Sequence, residues 1–218
     1  MSQLVTRVGL IGDVHCQADR LECAVAFLRE QAVEAILVVG DVVDGPGDVD
    51  RTIEILLREQ LPCVQGNHDR WLLLNEQRTL PHATPLERVS TSARAYLAAL
   101  PVTIDLPTPR GWLLLCHGLG DNDMAKVGPD DFGYAIESNS ELQQLLTEGR
   151  YALVCNGHTH RAMCRQFGLL HVVNAGTLLP GAGPGLASVD LVAGAVRLFD
   201  FAADDQTIVE AGRSALHR

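Results

Sequence analysis

The sequence lacks a CxxC motif, although it contains six cysteines, and several of these lie inside apolar runs as small hydrophobic residues do. It also lacks the charged, apolar and cleavage regions of a signal peptide, because the N-terminus passes directly into a strand-like run at residues 4–11. No apolar stretch is long enough to span a bilayer. These absences predict a reduced, cytoplasmic protein without a membrane span. The cysteines are Cys16, Cys23, Cys63, Cys116, Cys155 and Cys164.

The sequence has no cluster of lysine and arginine, and its formal net charge is −10. Extended nucleic acids bind to basic stripes, so this charge distribution argues against a nucleic-acid polymer as a partner. Bound cations are expected to neutralise part of the acidic excess, because carboxylates hold hard divalent ions. The composition therefore disfavours nucleic-acid polymers and is consistent with bound metal, and it leaves the oligomeric state open.

Short apolar runs rich in Val, Ile and Leu recur along the chain, and each ends in a polar cluster. Such runs are typical of buried strands. Helical patterns at residues 19–31 and 49–60 separate the first three runs, which predicts a βαβαβ start with parallel strands and right-handed crossovers. The runs are VGLIGDVH, AILVVGD, PCVQGNHD, WLLLCHG, YALVCNGHTH and LLHVVNAGT.

The second half of the chain continues this mixed α/β pattern. Helices are predicted at residues 71–77, 90–100 and 140–149, and hairpins are predicted where PVTIDL meets WLLLCHG and where LASVDL meets VRLFDF. Residues 119–139 form the longest irregular stretch, and such loops in compact domains are often functional lids. Because no repeat, low-complexity tract or linker divides the chain, residues 1–218 are predicted to form a single domain.

Polar residues that could bind metal follow most of the predicted strands. The carboxyl ends of parallel strands meet at one edge of a sheet, so residues far apart in sequence can converge there. Carboxylate, carboxamide and imidazole groups together suit a borderline divalent ion such as Mn, Fe, Zn, Ni or Co. The residues concerned are Asp13, His15, Asp41, Asp44, Asn67, His68, Asp69, His117, His158 and His160.

The motifs GDVH, GDVVD, GNHD, HG and GHTH occur in the order seen in calcineurin-like metallophosphoesterases, and each follows a predicted strand. The sequence resembles that family, and most of all its small bacterial and archaeal phosphodiesterase-type members. The resemblance implies a four-layer α/β/β/α sandwich of two mixed β-sheets flanked by helices, with two divalent ions. It implies that one ion is bound by Asp13, His15 and His160, that the other is bound by Asn67, His117 and His158, and that Asp41 bridges both.

The resemblance also implies metal-dependent hydrolysis of a phosphate ester. Two ions about 3.5–4 Å apart can hold a bridging hydroxide that attacks phosphorus, and they can neutralise charge on the phosphate oxygens. His68 is not a ligand in this scheme and is the predicted general acid for the leaving oxygen. Asp44 is predicted to accept a hydrogen bond from His68 and to favour its protonated form. Manganese is the expected ion, with Fe, Zn, Ni and Co as alternatives.

Several residues close to these motifs have simpler interpretations. Asp69 is expected to shape a turn. Arg70 and Arg161 adjoin the motifs and could bind a phosphate, although a solvated arginine is the commoner case. The NAGT segment at residues 174–177 resembles the NPGS loop of small phosphodiesterases, and it is expected to support the site. Structural roles are expected for three histidines outside the motifs, which are His82, His171 and His217.

Three functions remain open at this point. A phosphodiesterase on a small substrate is favoured. A phosphomonoesterase of the protein phosphatase and diadenosine tetraphosphatase branch is disfavoured, because Gly45 and Gln65 stand where that branch has two phosphate-binding arginines. A non-catalytic binding scaffold with the same fold is the third possibility, and it is disfavoured because every expected ligand position is filled. The sequence does not identify the natural substrate.

Overall fold

A computed structural model describes residues 4–217 and shows two five-stranded sheets with helices on their outer faces. In chain order the elements are β1 (Arg7–Ile11), α1 (Ala18–Glu30), β2 (Ala35–Val38), α2 (Val49–Arg58), α3 (Asn67–Leu74), a 3₁₀ turn (Leu86–Arg88), α4 (Thr91–Ala99), β3 (Thr103–Thr108), β4 (Gly111–Cys116), α5 (Tyr134–Glu137), α6 (Ser140–Glu148), β5 (Tyr151–Asn156), β6 (Met163–Phe167), β7 (Leu170–Asn174), β8 (Leu186–Asp190), β9 (Ala195–Phe201) and β10 (Ile208–Ala215).

The first sheet has the strand order β10-β9-β8-β1-β2, and the second has the order β3-β4-β5-β7-β6. In the first sheet β1 and β2 are parallel, while β8 runs antiparallel to β1 and continues into the antiparallel strands β9 and β10. In the second sheet β4, β5 and β7 are parallel, and β3 and β6 form antiparallel edges. Both sheets are therefore mixed, as predicted.

Successive side chains of a strand point to opposite faces of its sheet, and this alternation places them in different layers of the protein. Val8 and Leu10 of β1 face Leu113 and Leu115 of β4 in a core between the two sheets. Ile11 of β1 instead packs on the helix side of the first sheet, where α1, α2, α3 and α4 lie. The second sheet carries a separate apolar layer beneath α6 on its outer face. The result is the predicted α/β/β/α sandwich.

Three elements differ from the sequence predictions. The predicted third parallel strand is reduced to one bridge between Val38 and Cys63, because the Gln65 N–H then donates to Pro101 O and leaves the ladder. Helix α3 begins four residues before the predicted start at residue 71, since the Asp69 carboxylate accepts from Gly66 N and caps the helix. Strand β10 was not predicted, because its polar, exposed sequence lacks the alternation of a half-buried strand.

Among the helices within residues 4–217, none combines the length and the apolar character that crossing a bilayer requires.

Candidate metal centre

All the predicted ligands converge at one end of the sandwich, where strands of both sheets terminate. Asp13 and His15 follow β1, Asp41 follows β2, His117 follows β4, and the pair His158 and His160 follows β5. Asn67 completes this set from the first residue of α3. The packing of one sheet on the other therefore brings together ligands that are far apart in sequence.

One half of the centre contains His15, Asp41 and His160. The Nε2 atoms of the two histidines lie 3.0 Å apart. His15 Nε2 is 3.9 Å from Asp41 Oδ2. The ligand atoms of these three residues lie within 4.8 Å of one another, which is close enough to surround a single ion.

The other half contains Asn67, His117 and His158, and Asp41 again borders it. Asn67 Oδ1 lies 2.9 Å from His117 Nε2 and 2.8 Å from His158 Nδ1. Asp41 Oδ2 is 3.3 Å from His117 Nε2. Asp41 is therefore the carboxylate common to both halves.

Asp13 lies nearer to this second half than the family resemblance implies. Its carboxylate groups with Asp41 and His117, and it accepts from the His158 N–H at 3.0 and 3.1 Å. The resemblance assigns Asp13 to the ion held by His15 and His160. The Asp13 carboxylate thus borders the half of the centre that contains His117, beside Asp41.

The histidine tautomers show that these residues suit a cation. The ring Nδ1 of His117 donates to Val39 O at 2.8 Å, and Nδ1 of His15 donates to Val43 O and Asp44 O at 3.0 and 2.9 Å. In the neutral rings each Nε2 lone pair then points toward the Asp41 carboxylate, and these acceptors repel one another unless a cation lies between them. Bonds of about 2.0–2.2 Å place neighbouring ligand atoms roughly 3 Å apart, as found here.

The charges of the centre also favour a cation. Burial disfavours the charged form of His117, but Asp41 and Asp13 outweigh burial and raise the pKa of this histidine. Burial also opposes ionisation of Asp41, yet His117, His15 and His68 outweigh it and lower the pKa of this carboxyl. Positive charge is therefore stabilised beside Asp41, and a divalent ion supplies more of it than a proton does.

Five residues of the site have backbone conformations in the left-handed region. Non-glycine residues with positive φ cost free energy and concentrate at functional sites, where the surrounding structure holds them in place. In this protein the conformation turns each side chain sharply toward the centre after its strand has ended. The residues and their φ angles are His15 (47°), Asp41 (46°), Asp44 (61°), His158 (68°) and His160 (56°).

His68 lies beside the centre and is held by Asp44. Its Nδ1 donates to Asp44 Oδ2 at 2.7 Å, and its ring meets the His15 ring edge to face with 5.1 Å between centroids. Burial opposes protonation of His68, but the hydrogen bond to Asp44 and the charge of Asp41 outweigh it and raise the His68 pKa. The geometry therefore leaves Nε2 of His68 as the ring atom that can exchange a proton.

Arg78 is a residue of this site that sequence reasoning missed. Its guanidinium donates to both carboxylate oxygens of Asp44, at 2.8 and 2.9 Å, and Thr84 N donates to Asp44 Oδ1 at 2.8 Å. These bonds fix the carboxylate that orients His68. No motif signals this role, because Arg78 lies in a loop between two helices.

Asp69 is fully buried and has a larger role than a turn residue. Its Oδ1 accepts from Val42 N at 2.8 Å and Val43 N at 3.2 Å, and its Oδ2 accepts from Gly66 N at 2.9 Å. These bonds tie the segment after Asp41 to the start of α3. Asp69 is not a proposed ligand, and these bonds, all to backbone N–H groups, hold the backbone that carries the ligands.

Other motif neighbours support the site from outside. Asn174 donates to Gly157 O and accepts from Gly176 N, and Thr177 Oγ1 donates to Asp13 O at 2.9 Å. Residues 174–177 thus support the backbone of Asp13. Arg70, considered as a phosphate-binding residue, donates to both carboxylate oxygens of Asp123 at 2.6 and 2.9 Å, and Arg161, considered for the same role, donates to Asp130.

A family model described as the calcineurin-like phosphoesterase superfamily domain matches residues 6–193. The chain belongs to the calcineurin-like phosphoesterase superfamily. The members of this superfamily are metal-dependent, and membership makes the chain a phosphoric ester hydrolase. A search of curated proteins gave no match to the sequence.

Solved structures share the fold of this superfamily member at low sequence identity. The hypothetical protein PH1004 from Pyrococcus horikoshii OT3 has a TM-score of 0.69 and 15% identity, with 94% of this chain and 87% of that chain covered. The E. coli phosphoesterase YfcE has a TM-score of 0.56 and 16% identity, with 97% of this chain and 100% of that chain covered. Vacuolar Protein Sorting 29 from Cryptosporidium parvum has a TM-score of 0.56 and 16% identity, with 98% of this chain and 100% of that chain covered. These similarities establish the fold.

Proposed function

We propose that the chain is a dinuclear metal-dependent phosphodiesterase that acts on a small substrate. The observation that carries this proposal is the pair of ligand clusters that share Asp41. Both clusters contain only nitrogen and oxygen donors, which suits transition ions and Mn above all. Such ions, when bound, supply an activated water and neutralise charge on the phosphate.

The ligands divide between two ions in this proposal. His15 and His160 would hold the first, Asn67, His117 and His158 would hold the second, and Asp41 would contact both. Asp13 lies beside Asp41 and His117, and the family resemblance assigns it to the first ion. Backbone carbonyls fix the rings of His15 and His117, so these ligands are oriented before any ion binds.

His68 serves as the general acid. The proton on Nδ1 is committed to Asp44, so a proton carried on Nε2 can pass to the leaving oxygen of the ester. Asp44 is itself fixed by Arg78 and Thr84, and it therefore orients the ring and stabilises its charged form. Asp44 is a positioning residue in this scheme, and His68 is the catalytic one.

Two positions in the structure favour a diester over a monoester. A Cβ atom on Gly45 would lie 1.7 Å from His15 O, so no arginine fits there without moving a ligand. The Gln65 side chain donates to Leu97 O and is engaged away from the ligands. The two guanidinium groups that the monoesterase branch uses for a terminal phosphate therefore have no counterpart at these positions.

A reducing, cytoplasmic location is part of the proposal. All six cysteines are free thiols, and four of them are buried among apolar side chains. Structural disulfides are typical of exported proteins of small size, whereas free buried thiols suit a reducing compartment.

Metal reconstitution tests the proposal directly. The protein is stripped with a chelator, reloaded separately with Mn, Co, Ni, Zn or Mg, and analysed for metal content beside hydrolysis of bis(p-nitrophenyl) phosphate and p-nitrophenyl phosphate. About two ions per chain are expected, with Mg the poorest activator and the diester the better substrate. Full activity with fewer than about one transition ion per chain would overturn the two-ion scheme. Ion binding without hydrolysis of either ester would favour the scaffold.

A further inference from the structure

A cavity of about 650 Å³ lies at the end of the sandwich opposite the proposed metal centre, and it is called the distal cavity below. Its walls include the turns that precede β4, β5 and β7 and the turn between β8 and β9, whereas the proposed metal ligands follow the other ends of the strands. Its volume is within the range of about 300–1,000 Å³ that small-molecule sites occupy. The distal cavity is therefore separate from the proposed catalytic site.

His171 of β7 lines the distal cavity and has a ring nitrogen without a hydrogen-bond partner. Val173, two positions further along β7, packs in the core between the sheets, and alternation places His171 on the same face of the strand. The residue is only 5% exposed, and among residues 4–217 no group forms a hydrogen bond with its Nε2. Buried polar atoms nearly always have a partner, so this nitrogen beside a cavity indicates a group that a bound molecule supplies.

Arg110 supplies a positive charge to the same cavity. Its Nε donates to Leu191 O at 2.7 Å and its Nη1 donates to Leu216 O at 3.1 Å, and both of these residues also line the cavity. A Cβ atom on Gly194 would collide with Nη2, so the guanidinium lies where this glycine leaves room for it. Within residues 4–217 no acceptor bonds Nη2, and no carboxylate lies within 4.0 Å of the guanidinium. The arginine is thus held in place, and its charge is not paired with an acid of the described chain.

The rest of the lining is apolar or basic. Leu169 and Val192 border the cavity with 82% and 69% of their surface exposed, and apolar walls with a few convergent polar groups are typical of ligand sites. The other basic residues of the lining are Arg150 and His217, and Arg150 is paired with Asp105. No Asp or Glu within residues 4–217 lines the cavity, although the chain has 27 acidic residues and a net charge of −10. The distal cavity therefore favours an anion with an apolar part.

The donors of the cavity match a carboxylate. Burial lowers the pKa of His171 most, and the charges of Arg110 and His217 lower it further, so the ring is neutral at neutral pH and has one N–H to donate. Arg110 keeps the N–H groups of Nη2 after its two bonds to backbone carbonyls. A carboxylate has two oxygen atoms that accept, and charge-assisted hydrogen bonds of this kind are the strong ones. One small anionic group therefore satisfies both Nε2 of His171 and the charge of Arg110.

We propose that the distal cavity binds a small amphipathic carboxylate, which is a molecule that joins a carboxylate to an apolar chain or ring. The carboxylate accepts hydrogen bonds from Arg110 and His171, and the apolar part covers Leu169 and Val192. The site does not depend on the proposed phosphodiesterase activity, because none of the proposed metal ligands lines this cavity.

Calorimetry with the full-length, Mn-loaded protein tests the proposal. The probes are octanoate, octan-1-ol and octylammonium, which share one apolar chain and differ in the charge of the head group. The wild type should bind octanoate about 10- to 100-fold more tightly than octanol, as hydrogen bonds to charged groups predict, and it should bind octylammonium least. The preference for octanoate should survive removal of the ions with a chelator, which separates the distal cavity from a carboxylate bound to metal.

Four variants locate the binding site. Val192→Glu places an acid at the exposed edge of the cavity and should abolish the preference for octanoate, because the new charge repels the carboxylate. Val209→Glu makes the same change on the exposed strand β10, outside the cavity, and should leave the preference unchanged. His171→Phe removes the unpaired nitrogen, keeps an aromatic ring and should lose most of the preference. His171→Gln, whose amide nitrogen can replace Nε2, should keep more of it.

The outcomes that overturn the proposal are distinct. Equal affinity of the wild type for octanoate and octanol would show that the cavity does not select an anion. Loss of the preference on chelation would show that octanoate binds to the ions. An unchanged preference in Val192→Glu or His171→Phe, or equal losses in Val192→Glu and Val209→Glu, would show that the distal cavity is not the site.

Discussion

The two sheets contribute different chemistry to the metal centre. The loops after β1 and β2 in the first sheet carry both carboxylates, Asp13 and Asp41, whereas the loops after β4 and β5 in the second carry three imidazoles, His117, His158 and His160. Neither sheet holds a complete set of ligands. Metal binding is therefore coupled to the packing of one sheet on the other, and the two contributions should differ when each is disturbed.

Removing the shared carboxylate should have the largest effect. Asp41→Asn is expected to empty both halves of the centre and to lower turnover by more than about 100-fold, because a change in a ligand should exceed the roughly 10–100-fold cost of changes around ligands. Asparagine tolerates the left-handed backbone at this position and can still accept from His68 N, so the fold should survive. Metal analysis and diester turnover measure the effect.

The matched change in the second sheet is His158→Ala. It should weaken mainly one ion, because the His158 ring contacts Asn67 and lies outside the group of His15 and His160. Equal loss of both ions in the two variants would contradict the distinct role of Asp41. Near-normal metal content and turnover in Asp41→Asn would show that another residue bridges the ions.

Removing the proposed acid should separate catalysis from metal binding. His68→Ala is expected to keep both ions and to lower hydrolysis of an alkyl diester by about 100-fold, which corresponds to roughly 2.7 kcal/mol of barrier. A nitrophenyl diester should lose less, because nitrophenolate leaves without a proton. Turnover of both esters is measured beside metal content, and equal losses or a missing ion would reject the role of His68.

Asp69 is a buried carboxylate that accepts its hydrogen bonds from backbone N–H groups, so its removal should affect stability more than chemistry. Asp69→Ala leaves the N–H groups of Val42, Val43 and Gly66 without their acceptor, and a buried unsatisfied group costs about 1–3 kcal/mol. Urea unfolding of the metal-free protein should show that loss. Asp13→Ala should lose less stability without metal, because the Asp13 carboxylate accepts from one backbone N–H, that of His158, and the Asp69 carboxylate accepts from three. The reverse ranking would refute this distinction.

Releasing the loop of residues 119–133, which Arg70 of α3 holds through Asp123, should have the smallest effect on stability. Arg70→Met breaks a partly exposed ion pair with Asp123, so the free energy of unfolding should change by less than about 1 kcal/mol. The loop should nevertheless open more often. A protease specific for lysine can cut this chain only after Lys126, so the rate of that single cut reports loop opening. An unchanged rate, with Arg213→Met as the control, would show that the ion pair does not fasten the loop.

The sequence pattern predicted a mixed α/β chain with candidate ligands at the strand ends, and the family resemblance implied the four-layer sandwich and the proposed ligand set. Apolar runs of strand length, each followed by a polar motif, indicate buried strands whose ends carry the chemistry, and Asp13, Asp41 and His117 all follow that rule. These signals are local, so they can be read without knowing which elements pack together. The proposed roles of the ligands and of His68 stay predictions.

Only the tertiary structure decided how the site is held. Arg78 reaches Asp44 across 34 positions in the chain, and Arg70 binds Asp123 across 53, and no local pattern indicates either pair. The long reach of arginine and the folded path of loops determine such pairs. Asp69 appeared to be a turn residue because its three N–H partners are backbone groups, and backbone groups have no sequence signature.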